Sequence, residues 1–110
     1  MDIPVMQDIL GRNDEIAGKN KSLFDKHGIL AINLLGSPGS GKTTLLERTI
    51  AHLKDDLRLA VIEGDLFTDK DADRIAQHNV PVIQINTNGG CHLDAPMVEE
   101  VLGDLDLDKL

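Results

Sequence analysis

Eight consecutive residues carry the most specific chemical signal in the sequence. Gly36-Ser37-Pro38-Gly39-Ser40-Gly41-Lys42-Thr43 follows the spacing G-x-x-x-x-G-K-[ST] in full. Glycines at these positions let the backbone curl until successive N–H groups point inward, forming a nest for an anion. A helix that starts at the end of the loop adds partial positive charge from its unpaired N–H groups. Lys42 is then placed to reach the β- and γ-phosphates of a nucleotide, and the Thr43 hydroxyl to bind Mg²⁺. Thr44, next on the same helix end, joins the expected nucleotide-binding residues. A glycine-rich turn of this spacing also arises by chance. The strand expected before it and the helix expected after it favour the phosphate reading.

Two further segments hold groups suited to metals. Asp65 closes the run Glu63-Gly64-Asp65, and a carboxylate there reaches a loop-bound Mg²⁺ directly or through water. With Lys42 it is a candidate catalytic residue; the plainer alternative is a solvated loop residue or a cap. Glu63 is the weaker candidate. Asp69, Asp71 and Asp73 have the D-x-D-x-D look of a calcium loop, but Arg74 stands where that loop needs Gly and Val80 where it needs Glu. They read instead as carboxylates favoured by a helix N-terminus. Cys91 and His92 are adjacent, follow Gly89-Gly90, and are both ligands suited to Zn²⁺ or Ni²⁺. A lone cysteine is most often a small buried hydrophobe. Two ligands also leave a metal site incomplete, so a second copy of the chain or residues elsewhere must supply the rest. His27, His52 and His78 read as surface residues and Met97 as core.

The elements that must position these groups follow from hydrophobic pattern and punctuation. Residues 5–27 read as a polar-rich helical arm with Ile16, Asn20, Leu23, Phe24 and His27 on one narrow face, stopped by Gly28. Ile29–Leu35 is a near-continuous apolar run, as expected of a strand buried on both faces of a parallel sheet. Leu45, Leu46, Thr49, Ile50 and Leu53 mark a helix ending near Lys54. A second strand is expected over Leu57–Ile62 and a third over Val82–Ile85, with a helix between them from about Asp69 to His78. Thr68 and Asp71 resemble a capping box for that helix, and Asn79 and Pro81 end it. Asp94 and Pro96 predict the start of a last helix over Ala95–Leu102. The alternation predicts an α/β fold with a parallel sheet, here an incomplete three-stranded portion flanked by helices. Residues 1–28 form the arm and residues 29–110 the nucleotide-binding domain. Each expected strand runs into a glycine-rich or polar cluster, so three segments converge on the edge where open α/β sheets bind ligands.

Composition narrows the partners. The chain has 110 residues, 11 Lys and Arg against 19 Asp and Glu, and a net charge of −8. That balance opposes sequence-independent nucleic-acid binding and attraction to anionic membranes. No Trp or Tyr and only two Phe leave little surface for base stacking. A polyanionic nucleotide must then be held by the local nest, Lys42 and a metal rather than by global charge. One cysteine precludes an intramolecular disulfide, and the N-terminus shows no leader pattern, which together predict a cytoplasmic protein.

The combination of Asn33 to Glu47, Glu63-Gly64-Asp65 and Cys91-His92-Leu93-Asp94-Ala95 closely resembles the HypB family, from about Asn13 to the end of the chain. The phosphate loop is common to many nucleotide hydrolases, whereas the CHLDA segment at this distance is specific. Related urease accessory GTPases carry a proline between the Cys and the His. The resemblance implies a P-loop fold and a Mg²⁺-dependent GTPase that dimerises. It implies work with the nickel-binding partner HypA in inserting nickel into a [NiFe]-hydrogenase precursor. It further implies that Cys91 and His92 contribute to a Zn²⁺ or Ni²⁺ site at the dimer interface, and that Asp65 is a Mg²⁺-linked switch aspartate. The family's guanine-reading N-K-x-D motif and a further Cys ligand are expected beyond Leu110, so the chain reads as an N-terminal portion. Guanine is therefore implied by resemblance, since the loop reads phosphates and not bases. Two alternatives remain at this level: a non-catalytic metal- and phosphate-binding module, or an ATP-using enzyme of the same fold.

Overall fold

The computed structural model describes residues 3–36, 39–65, 70–87 and 93–110. Within them the chain forms, in order, α1 (Ile3–Lys26), α2 (Lys42–Leu53), β1 (Val61–Asp65), α3 (Lys70–Ala76), β2 (Val82–Asn86) and α4 (Ala95–Leu102). A 3-10 turn at Leu107–Lys109 follows. The strands are parallel, and their register pairs Val61 with Val82 and Asp65 with Asn86. Glu63-Gly64-Asp65 therefore lies inside the sheet as the carboxyl end of β1, where a cluster beyond a strand ending at Ile62 was expected. The ladder with β2 decides this, because backbone pairing is set by the partner strand and not by local hydrophobicity.

Helix ends follow their local chemistry. Gly28 adopts φ +67 after α1, with Ile29 N–H donating to Phe24 C=O at 2.9 Å and Gly28 N–H to Asp25 C=O at 3.2 Å. These two bonds are the Schellman pair, which satisfies the last carbonyls of a helix through a left-handed residue. Asn79 plays the left-handed role after α3, at φ 62. Asp94 caps α4 as expected: its carboxylate accepts from Met97 N–H at 2.9 Å, with Pro96 in the first turn. The Thr68 part of the expected capping box lies outside the described residues, and α3 itself is shorter than anticipated.

The strand expected over Ile29–Leu35 is corrected by the structure. The sheet formed by the described residues has two strands, and residues 29–36 form no strand. Leu30 is 84% exposed and Ile32 80%. A run apolar at every position signals a strand that needs neighbours and cover on both faces. Among the described residues β1 and β2 pair only with each other, so the apolar run lacks the ladder that would make it a strand. The 3-10 turn that follows α4 contributes Leu107, which is buried.

Among the described residues the buried hydrophobic ones are Ile16, Ile50, Ile75, Leu102 and Leu107. Ile50 on α2 and Ile75 on α3 are sealed completely, each contributing about 1.5–3 kcal/mol by burial. On α1 the anticipated face is the one that packs: Ile16 and Asn20 are buried, and α1 lies against α4. Leu45 and Leu53, expected on the inner stripe of α2, remain partly exposed beside the sealed Ile50.

Candidate functional site

The phosphate loop is built by two glycines in the left-handed region, Gly39 at φ +80 and Gly41 at φ +93. A side chain at either would meet backbone strain. Gly41 is also the N-cap of α2 and supplies no side-chain cap, so a ligand or solvent must satisfy the first-turn N–H groups. Gly36 has a different reason to be glycine. A Cβ there would fall 2.6 Å from Ser40 Oγ and 3.1 Å from Lys42 Cγ. The loop closes on itself through Lys42, whose ammonium donates to the Gly36 carbonyl at 2.7 Å. The lysine is thereby held over the loop and not extended into solvent. Thr43 and Thr44 follow on the first turn of α2. Ser37 and Pro38 lie outside the described residues.

At the carboxyl edge of the sheet, Asp65 is the last residue of β1, opposite Asn86, and Thr87 is buried just beyond β2. Gly64 is where the chain returns: a Cβ on it would lie 2.7 Å from Leu93 Cδ2 and 3.3 Å from Thr87 Cγ2. Leu93 immediately follows Cys91 and His92, which lie outside the described residues. The chain beyond Leu93 is gripped from α1. Asn13 Oδ1 accepts from Ala95 N–H at 2.9 Å, and Asn20 Nδ2 donates to Ala95 C=O at 3.1 Å. Asn13, Ile16 and Asn20 share a helical face, so both amides reach the backbone of the same residue.

A third cluster was not expected from sequence. Glu47 on α2 accepts from Arg74 on α3 through one carboxylate oxygen. Its other oxygen pairs with His78 Nε2 at 3.0 Å. Arg74 also lies 3.5 Å from Thr44 Oγ1. The His78 hydrogen bond, and then that of Arg74, hold the Glu47 carboxyl below its ordinary value of 4.5. His78, in the turn after α3, is thus tied to α2 and not a free surface histidine. His27 is likewise engaged, with Nδ1 2.9 Å from Asp108 Oδ1. The i, i+4 spacing of Arg74 and His78 was the available signal, but nothing local points to Glu47 as their partner.

Among the described residues no group of three His, Cys, Asp or Glu converges as a metal cluster. No described helix is long and apolar enough to cross a membrane.

Comparison with known proteins places this geometry. Residues 30–109 match the family described as CobW/HypB/UreG, nucleotide-binding domain. The hydrogenase maturation factor HypB of Cupriavidus necator is 58% identical over 99 residues, covering 87% of this chain and 27% of that protein. The crystal structure of hydrogenase maturation factor HypB from Archaeoglobus fulgidus superimposes with a TM-score of 0.78 at 32% identity, covering 90% of this chain and 48% of that one. The crystal structure of HypB from Helicobacter pylori in complex with nickel gives 0.76 at 41% identity, covering 89% and 46%. The chain spans less than half the length of each of these three relatives. The α/β architecture with its N-terminal helix is the one these structures share.

Proposed function

The chain belongs to the CobW/HypB/UreG nucleotide-binding family, and from that premise we propose that it binds and hydrolyses GTP with Mg²⁺ to gate nickel insertion into [NiFe]-hydrogenase. One observation carries the reading: the Lys42–Gly36 closure of a loop whose left-handed Gly39 and Gly41 open onto the uncapped start of α2. Such a loop presents backbone N–H groups, a lysine and a helix N-terminus to one anion.

The residues proposed to hold nucleotide are Gly36, Ser37, Pro38, Gly39, Ser40, Gly41, Lys42, Thr43 and Thr44. A hydroxyl from Thr43 and a carboxylate from Asp65 are hard oxygen donors, the donor set that suits Mg²⁺. When bound, Mg²⁺ would neutralise charge on the β- and γ-phosphate oxygens. Lys42 leaves the Gly36 carbonyl for the phosphates, and the loop N–H groups stabilise charge as the β–γ phosphoanhydride opens to water. Thr43 and Asp65 would hold the cation, and the backbone of Asp65 is fixed by the sheet.

Nickel enters as cargo. Cys91 and His92 are proposed to ligate Ni²⁺ or Zn²⁺ with groups from a second copy of the chain, which makes the working unit a homodimer. HypA and the hydrogenase precursor are the proposed protein partners, and the cytoplasm the proposed compartment, with no role for nucleic acid or membrane. Residues 1–28 are proposed as an arm on a nucleotide-binding domain of residues 29–110.

Equilibrium binding of GTP and of ATP, measured side by side with Mg²⁺, tests the reading. Preference for GTP supports it. Equal affinity for both replaces it with an ATP-using enzyme, and binding of metal without either nucleotide reduces the chain to a metal-binding module.

A further inference from the structure

Arg74 on α3 reaches two points one turn apart on the same face of α2: the Glu47 carboxylate, and the Thr44 hydroxyl at 3.5 Å. Thr44 stands in the first turn of α2, whose N-cap Gly41 supplies no side-chain cap. Leu45 N–H bonds back to Gly41 C=O at 3.0 Å, so the N–H groups of Lys42, Thr43 and Thr44 precede the helical ladder. A cation beside that end of a helix is disfavoured by the helix dipole. Glu47 offsets part of this cost, and a phosphate held at the helix end would offset more.

The guanidinium is fixed where it stands. Glu47 divides its oxygens between Arg74 and His78 Nε2, the latter at 3.0 Å, and its side chain is only 26% exposed. Ile75, next to Arg74 on α3, is sealed in the core. A paired guanidinium anchored in this way holds its position better than a solvated surface charge.

The polarity of the Thr44 contact decides its consequence. A guanidinium has donors only, whereas a hydroxyl has one donor and two acceptor lone pairs. Thr44 Oγ1 therefore accepts from Arg74, and its own proton meets no acceptor among the described residues. Accepting from a charged donor also polarises the hydroxyl and strengthens it as a donor in turn. The oxygens of an ionised phosphate are acceptors, the complement of a hydroxyl left in this state.

We propose that Arg74 is a positioning residue for the phosphate side of the nucleotide site: by donating to Thr44 Oγ1 it commits the Thr44 hydroxyl to donate to a phosphate oxygen. This rests on the proposed nucleotide reading and deepens it. The contact runs directly from α3 to Thr44 and needs no divalent cation, so its loss should be felt with and without Mg²⁺.

The test measures affinity for a fluorescent non-hydrolysable GTP analogue, in EDTA and in Mg²⁺, for wild type, Arg74→Ala, Thr44→Val, Thr44→Ser and the Arg74→Ala/Thr44→Val pair. Arg74→Ala and Thr44→Val should each weaken binding about tenfold in both conditions, the scale of one hydrogen bond to a charged group. Thr44→Ser, which keeps the hydroxyl, should bind as wild type does. In the Thr44→Val background, removal of Arg74 should cost nothing further, because the hydroxyl it orients is already gone. A purely structural Arg74 would lower affinity by the same factor in both backgrounds, and that result overturns the inference. So does wild-type affinity in Arg74→Ala or in Thr44→Val. Should Arg74→Ala fail to fold, Arg74→Lys carries the same comparison: it keeps a charged donor without the planar fork, and its smaller loss should appear with Thr44 and vanish with Thr44→Val. Wild-type protein that binds no analogue in either condition refutes the nucleotide reading itself, and this inference with it.

Discussion

Leu93 lies directly over Gly64: a Cβ added at residue 64 would fall 2.7 Å from Leu93 Cδ2 and 2.9 Å from Cγ. Gly64 precedes Asp65 at the carboxyl end of β1, and Leu93 follows the proposed metal ligands Cys91 and His92. The residue that follows the proposed metal ligands in the chain therefore packs on β1 beside Asp65, in a contact that a glycine at position 64 permits.

Gly64→Ala must displace Leu93, because the near atoms include the branch carbon and not just a flexible tip. Overpacking of this kind costs about 1–3 kcal/mol. A lowered thermal midpoint is expected, with partial recovery in Gly64→Ala/Leu93→Ala, where the intruding side chain is gone. Thermal melts of the two variants and of Leu93→Ala check this. An unchanged midpoint in Gly64→Ala would contradict the contact.

The loop glycines should fail for two different reasons. Gly41→Ala places a side chain at φ +93 with open space around it, so its cost is backbone strain alone, about 1–2 kcal/mol. Gly36→Ala instead collides with Ser40 Oγ and the Lys42 stem. Both should lose nucleotide binding while keeping the wild-type circular dichroism spectrum. Repositioned loop N–H groups cost binding, whereas the core residues Ile50 and Ile75 are untouched.

A pH series isolates Glu47. Its carboxyl is held below 4.5 by His78 first and Arg74 second. A group depressed on folding stabilises the fold fully above its unfolded value, and that contribution is lost as pH falls through the folded value. Wild type should therefore be more stable than Glu47→Gln at neutral pH, with the gap narrowing only once pH drops below 4.5. Denaturant midpoints of both proteins from roughly pH 7 down to about pH 3 measure it. A gap that vanishes in the neutral range would place the effect on another group.

Much of this was legible in the sequence wherever the cause is local. The loop spacing from Gly36 to Thr43, the Gly28 and Asn79 stops and the Asp94 cap each follow from a few adjacent residues, and the structure shows the stops and the cap as expected. Asn20 was visible on the packed face of α1, but not its hold on Ala95, 75 residues away. Glu47 and His78 are 31 residues apart and their pairing has no sequence signature. The fate of Ile29–Leu35 was illegible for the same reason: an apolar run states what it needs, and only a neighbouring strand decides whether it becomes one.

Metal binding should depend on Cys91 and His92 together. Equilibrium dialysis with Ni²⁺ and with Zn²⁺ on wild type and on Cys91→Ala/His92→Ala should show loss of bound metal in the double variant. If the site is shared between copies, metal should also raise the dimer fraction of wild type alone. Identical stoichiometry in both proteins would remove these residues from the account.

Release of inorganic phosphate from GTP, with and without Mg²⁺, by wild type and Lys42→Ala tests the central claim most directly. The loop geometry predicts Mg²⁺-dependent release by wild type and a loss of about 10²-fold or more in Lys42→Ala, the scale of removing one charge-stabilising donor. Equal release by the two proteins, or release that persists unchanged after Mg²⁺ is chelated, would contradict it.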